Sequence, residues 1–158
     1  WGASVNFAGR GEMVANDKSF IELDPSGAVD QWGIPILRFN WQWSDYEYLQ
    51  AKHMQETFRG LLAEMGAVVR STMPTKEQGY GLSTGGSIIH ELGTVRMGND
   101  PNKSVLNENC QAWDCKNLFV TDGGPFVSQA DKNPTWTILA LSMKTSRFIA
   151  QQRKEGKL

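Results

Sequence analysis

A predicted strand runs directly into a predicted helix in the first half of the chain, with no room for a loop between them. Apolar and polar residues alternate strictly from Leu37 onward through Trp43, which predicts a half-buried strand. Ser44 and Glu47 follow at capping-box spacing, so their side chains are expected to satisfy free N–H groups at a helix start. The sequence therefore predicts an α+β fold, in which a mostly antiparallel sheet is backed by a helix over residues 45–65.

Two helices are predicted from periodicity and from their end signals. The first carries one apolar stripe at helical spacing, and Gly66 is placed to end it in a left-handed conformation. This stripe consists of Met54, Phe58, Leu61, Leu62 and Met65. The second helix is predicted over about 134–154, with Asn133 as its N-cap and Pro134 in its first turn. Its expected buried face consists of Ile138, Leu139, Leu141, Thr145, Phe148 and Ile149.

Several shorter segments are predicted as strands, turns or loop. The strands are one or two within residues 4–15, kinked at 9–11, and single strands at 20–23, 68–71, 87–90 and 118–120. The turns are at 24–27, 99–102 and 122–125. Residues 74–87 are rich in Gly, Thr and Ser, which predicts a loop before His90.

The composition is that of a globular chain with a sizeable core. Of its 158 residues 40% are hydrophobic and 21% are charged, and the formal net charge is −1. This balance gives neither a basic face for nucleic acid nor a disordered acidic tail. No apolar run approaches the ~20 residues that a transmembrane helix needs. Because the chain begins at Trp1 and its first residues read like the interior of a protein, we expect a piece of a longer polypeptide.

Cys110 and Cys115 are the only cysteines, and no histidine lies near them in the sequence. A zinc site needs about four ligands, so this pair does not predict a metal centre. Two isolated thiols are more often small packing residues. A disulfide across a hairpin stays open, because spacing alone does not decide it.

His90 is the leading candidate for proton transfer. An imidazole with an ordinary pKa near ~6.5 takes or gives a proton around neutrality, and a Gly-Thr turn follows this histidine closely. For a histidine taken alone, the more common situation is a core residue bonded to backbone. His53, in the middle of the first helix, is assigned to that structural class. Arg96 either contacts a phosphate or makes a surface ion pair, and we favour the ion pair.

The start of the second helix offers polar groups that face either inward or toward a ligand. An Asn at an N-cap usually bonds the N–H groups of its own helix. Alternatively, the amide of Asn133 points outward, and the free N–H groups of the first turn face an electron-rich ligand. Asp122 and Gly123 follow a short apolar segment, where Asp can accept from a hydroxyl and Gly lets backbone approach a ligand closely. Most Asp-Gly pairs, however, are simply turns.

Several short motifs follow one another in a fixed order along residues 87–150. They are His90, Gly93-Thr94, Arg96-Met97-Gly98, Ser104-Val105-Leu106, Asn117-Leu118-Phe119-Val120, Asp122-Gly123, Asn133-Pro134-Thr135 and Ile138. In this order they resemble the C-terminal region of the glucose–methanol–choline (GMC) oxidoreductases, especially the gluconate and sugar dehydrogenase branch. Residues 1–86 would correspond to the more variable substrate side.

The resemblance implies an FAD-dependent enzyme that oxidises a CH–OH group of a sugar, polyol or other alcohol. His90 matches the position of the catalytic base, and Asn133 matches the second position, which is His or Asn in that family. Asp122 and Gly123 would lie along the FAD chain, while Pro134 and Thr135 would face the flavin ring with Asn133. No metal is implied.

The resemblance also implies two domains. Residues 1–116 would form part of a substrate-binding domain with His90, and residues 117–158 would supply a strand and helix that return to an FAD-binding α/β domain. The G-x-G-x-x-G segment of that domain has no match here, so an N-terminal FAD-binding segment is the expected missing partner. The electron acceptor is left open between oxygen, a quinone and a cytochrome.

Two other functions are weighed against this one. A binding or scaffold module that kept the fold but lost redox chemistry would bind no flavin even with an N-terminal partner. A hydrolase built on Ser87 and His90 is disfavoured, because Ser87 has no G-x-S-x-G elbow and no oxyanion-hole signal accompanies it.

Overall fold

A computed structural model describes residues 4–129 and 131–158 of the chain. Along the sequence it contains strands β1 (Phe20–Leu23) and β2 (Leu37–Asn40), helix α1 (Asp45–Glu64), a short 3₁₀ turn (Gly79–Gly81) and helix α2 (Thr135–Lys154). The α+β class is confirmed, but the only sheet in this part of the chain has two strands. Neither α1 nor α2, nor any other described helix, is long and apolar enough to cross a bilayer.

Strands β1 and β2 form an antiparallel hairpin with an exposed apolar face. Phe20 pairs with Asn40 and Leu23 with Leu37, so Ile21, Leu23, Leu37 and Phe39 share one face of the ribbon. The half-buried strand expected here is wrong in two respects. The observed strand ends at Asn40, before the tryptophans. Its apolar residues Leu37 and Phe39 remain 50% and 68% exposed. The reason is that no second layer of the described structure covers a ribbon of only two strands.

Helix α1 confirms its predicted start and end. The Ser44 hydroxyl accepts from the N–H of Tyr46 at 3.2 Å, and the Ser44 N–H donates to Oε2 of Glu47 at 2.7 Å, which completes the capping box. At the other end Gly66 has φ +67°, and the N–H of Ala67 donates to the carbonyl of Leu62 at 2.9 Å.

The apolar stripe of α1 is only partly buried. Met54 and Phe58 lie against the N-terminal segment, where Phe7 stacks on Phe58 with ring centroids 5.4 Å apart. Leu61 and Met65 are instead exposed. His53 is also exposed, so its assignment to the core is wrong. The N-terminal strands expected within 4–15 are irregular backbone, held to α1 by side-chain contacts instead of by a ladder.

Glu47 is the buried polar centre of this contact. Its Oε1 accepts from the N–H of Val14 at 2.8 Å, while its Oε2 accepts from both the N–H and the hydroxyl of Ser44. Burial by itself raises the pKa of Glu47, but the hydrogen bonds from Ser44 and Val14 together outweigh it. The net pKa of this carboxyl is therefore lowered.

Replacing Glu47 with Gln is expected to lower the free energy of unfolding by about 1–3 kcal/mol, because an amide NH₂ cannot accept from donors that are already buried. Since the folded pKa is lowered, this stabilisation is complete above the usual carboxyl range near ~4.3 and is lost as pH falls through the folded pKa. Denaturant unfolding at neutral and acidic pH should show the gap between variant and wild type closing at acidic pH. Glu64→Gln, at an exposed position near the end of α1, is the matched control; an equal loss there would contradict the assignment to Glu47.

Three other predicted strands do not form as such. Residues 68–71 and 87–90 are irregular, and the segment 118–120 contributes only an isolated bridge, between Phe119 and Gln111. The turn expected at 99–102 is found, with Lys103 N–H donating to the Asp100 carbonyl at 3.0 Å. A strand needs a neighbouring strand to pair with, and a short apolar run does not by itself supply one. The strand predictions for these three segments are therefore wrong.

The densest packing lies in the C-terminal half. Leu106, Cys110, Ala112 and Phe126 are buried there, with Leu106 only 1% exposed. Cys110 and Cys115 are free thiols, the first buried and the second exposed, so the packing prediction is confirmed for Cys110 and no disulfide forms. Backbone hydrogen bonds such as Val120 N–H to Cys110 carbonyl, at 3.0 Å, link both sides of the expected domain boundary at 116/117, which stays a prediction.

Helix α2 packs on this region through its middle. Thr145 is fully buried and donates its hydroxyl to the Asn109 carbonyl at 3.2 Å, while Phe148 meets Phe119 with ring centroids 6.2 Å apart. The predicted buried face is confirmed as buried or half-buried except at Leu139, which is 56% exposed. Asn133 is not the N-cap: Pro134 occupies that position in a helical conformation, and no side chain caps the helix.

Candidate functional site

The His90 motif and the Asp122–Gly123 motif lie side by side. Three backbone hydrogen bonds join them: Gly93 N–H to the Gly123 carbonyl at 3.1 Å, Val95 to Gly124 at 3.1 Å, and Met97 to Pro125 at 2.9 Å. These three main-chain hydrogen bonds, between residues 93–97 and 123–125, join segments that are distant in the sequence and are called the zipper below. The segment that follows His90 and the segment that follows Asp122 are therefore in direct contact in the fold.

His90 stands just before this zipper in a left-handed conformation. Its φ is +84°, its side chain is half-buried, and its ring makes no hydrogen bond to any residue among 4–129 and 131–158. A non-glycine residue at positive φ costs of the order of 1–3 kcal/mol, and such strain clusters at functional sites. An imidazole that has no hydrogen-bond partner in those ranges, held at that backbone angle, can accept a hydrogen bond from a ligand.

The glycines of the zipper serve close packing. A Cβ on Gly93, which has φ +84°, would lie 2.9 Å from the Phe126 carbonyl oxygen. A Cβ on Gly123 would lie 2.4 Å from the Leu92 side chain, and one on Gly124 would lie 2.7 Å from Val95. The space left by Gly123 is thus filled by Leu92 in this structure. Any contact that Gly123 makes with a ligand would therefore be through its backbone.

Asp122 is exposed and organises the turn behind it. Its Oδ1 accepts from the Gly124 N–H at 2.7 Å, so one carboxylate oxygen is committed to the local turn. The other oxygen bonds to no residue in the described ranges. Asp122 can accept from a ligand hydroxyl without giving up its own turn.

The start of α2 is open to a ligand. Asn133 is exposed, Pro134 is buried, and the first turn contains no acidic residue. With no capping side chain, the N–H groups at Thr135 and beyond keep their partial positive charge. The amide of Asn133 could either bond the N–H groups of its own helix or point outward. Its exposure and the missing cap hydrogen bond favour the outward arrangement.

No hydrogen bond joins His90 and Asn133 among the described residues, and their convergence on one alcohol stays a prediction. Two surface cavities lie elsewhere. One of about 300 Å³ is lined by Arg96, Asp100, Lys103 and neighbours, and another of about 370 Å³ lies between α1 and the 3₁₀ turn.

Within the described part of the chain, Arg96 does not form the ion pair expected of it. Its Nε donates to the Lys103 carbonyl at 3.3 Å, because the turn at 100–103 brings that carbonyl within reach. No group of three or more His, Cys, Asp or Glu side chains in the described ranges is placed to hold a metal ion.

The loop before His90 rests on two tryptophans, a contact that the sequence pattern does not predict. Trp41 and Trp43 meet edge to face, and the loop at 83–85 rests on them. The alternating pattern instead predicts both tryptophans on one face of a strand. The available signal was the glycine pair at 85 and 86, since a residue without a side chain is what lets backbone lie on an aromatic ring.

The chain is similar in sequence to a known protein family and to several of its members. The family model described as GMC oxidoreductase matches residues 15–142. A 2-methyl-1,2-propanediol dehydrogenase of Mycolicibacterium austroafricanum is 33% identical over 90% of this chain and 24% of its own length. A gluconate 2-dehydrogenase flavoprotein of Pantoea cypripedii is 27% identical over 85% and 22%. A pyranose 2-oxidase of Lyophyllum shimeji is 27% identical over 80% and 20%.

These relatives are sugar and alcohol oxidoreductases by name, and the chain spans about a quarter of their length or less. The family match covers most of the sequence, including the zipper and the start of α2. This chain belongs to the GMC oxidoreductase family.

Proposed function

We propose that this chain is the C-terminal part of an FAD-dependent oxidoreductase that oxidises a CH–OH group of a sugar, polyol or other alcohol. The observation that carries this proposal is the half-buried ring of His90, which makes no hydrogen bond within residues 4–129 and 131–158, in a family whose similar members are named as sugar and alcohol dehydrogenases and oxidases. His90 takes the hydroxyl proton of the substrate, and Asn133 orients the same oxygen.

The residues at the start of α2 suit a flavin. Asn133 carries an amide that caps no helix, and Thr135 opens a first turn with uncapped N–H groups and no acid. Such donors stabilise electron density on the pyrimidine edge of a flavin. Pro134 and Thr135 would face the ring with their backbone, while Asp122 and the backbone of Gly123 would lie along the FAD chain. When bound, the flavin supplies a hydride acceptor at N5.

The substrate then loses one proton and one hydride and becomes a carbonyl compound. His90 holds the proton at a ring nitrogen, and the fixed geometry of base and amide lowers the entropic part of the barrier. A positioned general base typically contributes ~10²–10⁴-fold to the rate. The strained φ of His90 fits this role, because strain is retained where geometry matters.

We assign residues 1–116 to the substrate side and residues 117–158 to the completion of the FAD-binding domain. The rest of that domain, with the segment that holds the ADP half of FAD, would come from polypeptide N-terminal to this chain. Reduced enzyme would pass electrons to oxygen, to a quinone or to an acceptor protein such as a cytochrome.

A complementation experiment tests the function. Produced with an N-terminal FAD-binding segment, in one polypeptide or as two, this chain is expected to yield a yellow complex whose flavin absorbance bleaches anaerobically when a sugar or diol is added. The control is the N-terminal segment alone. A complex that binds no flavin would favour the second candidate, a scaffold that kept the fold without redox chemistry. Flavin that binds but never bleaches with any alcohol would contradict the reaction.

A further inference from the structure

We propose that Trp41 and Trp43 form a platform that positions the loop carrying His90, and that this platform sets the rate of the reaction without contacting the substrate. This inference rests on the proposed role of His90 as the base. It goes beyond that role by assigning a positioning function to two aromatic residues that are distant from His90 in the sequence.

The platform is a rigid pair of indole rings. The centroids of Trp41 and Trp43 are 4.9 Å apart with an interplanar angle of 83°, an edge-to-face arrangement that is favourable for aromatic rings. The pair lies between the end of β2 at Asn40 and the cap of α1 at Ser44. Gln42, between the two tryptophans, donates its N–H to the Ser19 hydroxyl at 3.1 Å. The flanking strand, the flanking helix and this hydrogen bond together hold the backbone that carries the two rings.

The loop before His90 is attached to both rings. The indole N–H of Trp43 donates to the Ser83 carbonyl at 3.3 Å. Gly85 lies on the Trp41 ring so closely that a Cβ there would stand 3.0 to 3.3 Å from three of its atoms. A side chain at Gly85 would therefore lift the loop from the ring.

His90 lies between this attachment and the zipper. Downstream, the Gly93 N–H is fixed on the Gly123 carbonyl. Between them, residues 88–92 make no backbone hydrogen bond to the described part of the chain. A segment without hydrogen bonds of its own takes its path from its two ends. Gly93 fixes the C-terminal end of this segment and the platform fixes the N-terminal end. Together the two ends hold His90 at its left-handed φ.

Two substitutions test the platform in the full-length flavin-loaded polypeptide. Trp43→Phe keeps an aromatic ring and removes the N–H that Ser83 accepts, while Gly85→Ala pushes the loop away from Trp41. Each is expected to lower kcat by roughly ten- to a hundredfold with little change in KM, since small displacements of a reacting group cost up to about 10²-fold. Gly60→Ala, on α1 with no atom within 4 Å of the added Cβ, is the matched control and should leave kcat unchanged.

A double-mutant comparison distinguishes positioning from general damage. If the platform acts through His90, Trp43→Phe lowers the rate in wild type but has no further effect in a His90→Asn background. Equal fold-losses in both backgrounds, or wild-type kcat in both Trp43→Phe and Gly85→Ala, overturn the platform while leaving the proposed function intact. Wild-type rates in His90→Asn itself overturn the proposed role of His90 as the base, and the platform with it, while alcohol oxidation as such still stands. Flavin content and melting temperature of each variant identify a loss caused by misfolding, and Gly85→Ala then decides if Trp43→Phe does not fold.

Discussion

Replacing His90 with Asn in the full-length flavin-loaded polypeptide is expected to slow flavin reduction by an alcohol by about 10²–10⁴-fold, the typical contribution of a positioned general base. Asn is chosen because it tolerates positive φ, so the loop at this position keeps its backbone conformation. An amide cannot accept the hydroxyl proton, and the loss therefore isolates proton transfer from loop geometry.

The measurement is rapid-mixing flavin reduction under anaerobic conditions, which separates this step from reoxidation by the acceptor. His53→Asn is the matched control, because His53 is the only other histidine and is exposed on α1. We expect this control to reduce flavin at the wild-type rate. If His90→Asn reduces flavin as fast as the control, His90 is not the base.

Gly93→Ala is expected to lower the free energy of unfolding by about 3 kcal/mol. Part of this loss, about 1–2 kcal/mol, comes from a Cβ at a φ of +84°. The rest comes from a contact of 2.9 Å with the Phe126 carbonyl oxygen, a backbone atom that has little freedom to move. The same shift should weaken the hydrogen bond between Gly93 and Gly123, on which the zipper depends.

Gly33→Ala separates these two causes. Gly33 has a similar φ of +80° but no atom within 4 Å of the added Cβ, so this variant should lose only the conformational part. Denaturant unfolding followed by tryptophan fluorescence gives the comparison. Equal losses of unfolding free energy in the two variants would show that the close contact with the Phe126 carbonyl does not destabilise the Gly93→Ala variant.

The helices were predictable because their signals are local. Ser44 and Glu47 cap α1 within four residues of each other, and Gly66 ends it in the expected left-handed conformation. The strands were not, because a strand is defined by a partner. Residues 68–71 and 87–90 have the apolar character of strands but find no neighbouring strand, and Leu37 to Asn40 find only one. Asn133 shows a finer limit, since a shift of the helix start to Thr135 moved it out of the cap.

The candidate site was predictable in its parts but not in its support. The motif order placed His90 and Gly123 in one family pattern, and the backbone bonds between 93–97 and 123–125 bring these motifs together. Periodicity carries no information about the φ of a single residue, so the strain at His90 was not foreseen. The contact of Trp43 with Ser83 joins residues far apart in sequence, and spacing rules reach only neighbours on one element.

The left-handed backbone at His90 also bears on how a protein of this family would respond to selection. Glycine at this position would relieve the strain and favour the folded state, yet it would remove the imidazole. If His90 is the base proposed above, laboratory evolution that selects for heat resistance alone would therefore favour more stable variants that have lost this base. Screens for durable biocatalysts built on this scaffold should read turnover in every round.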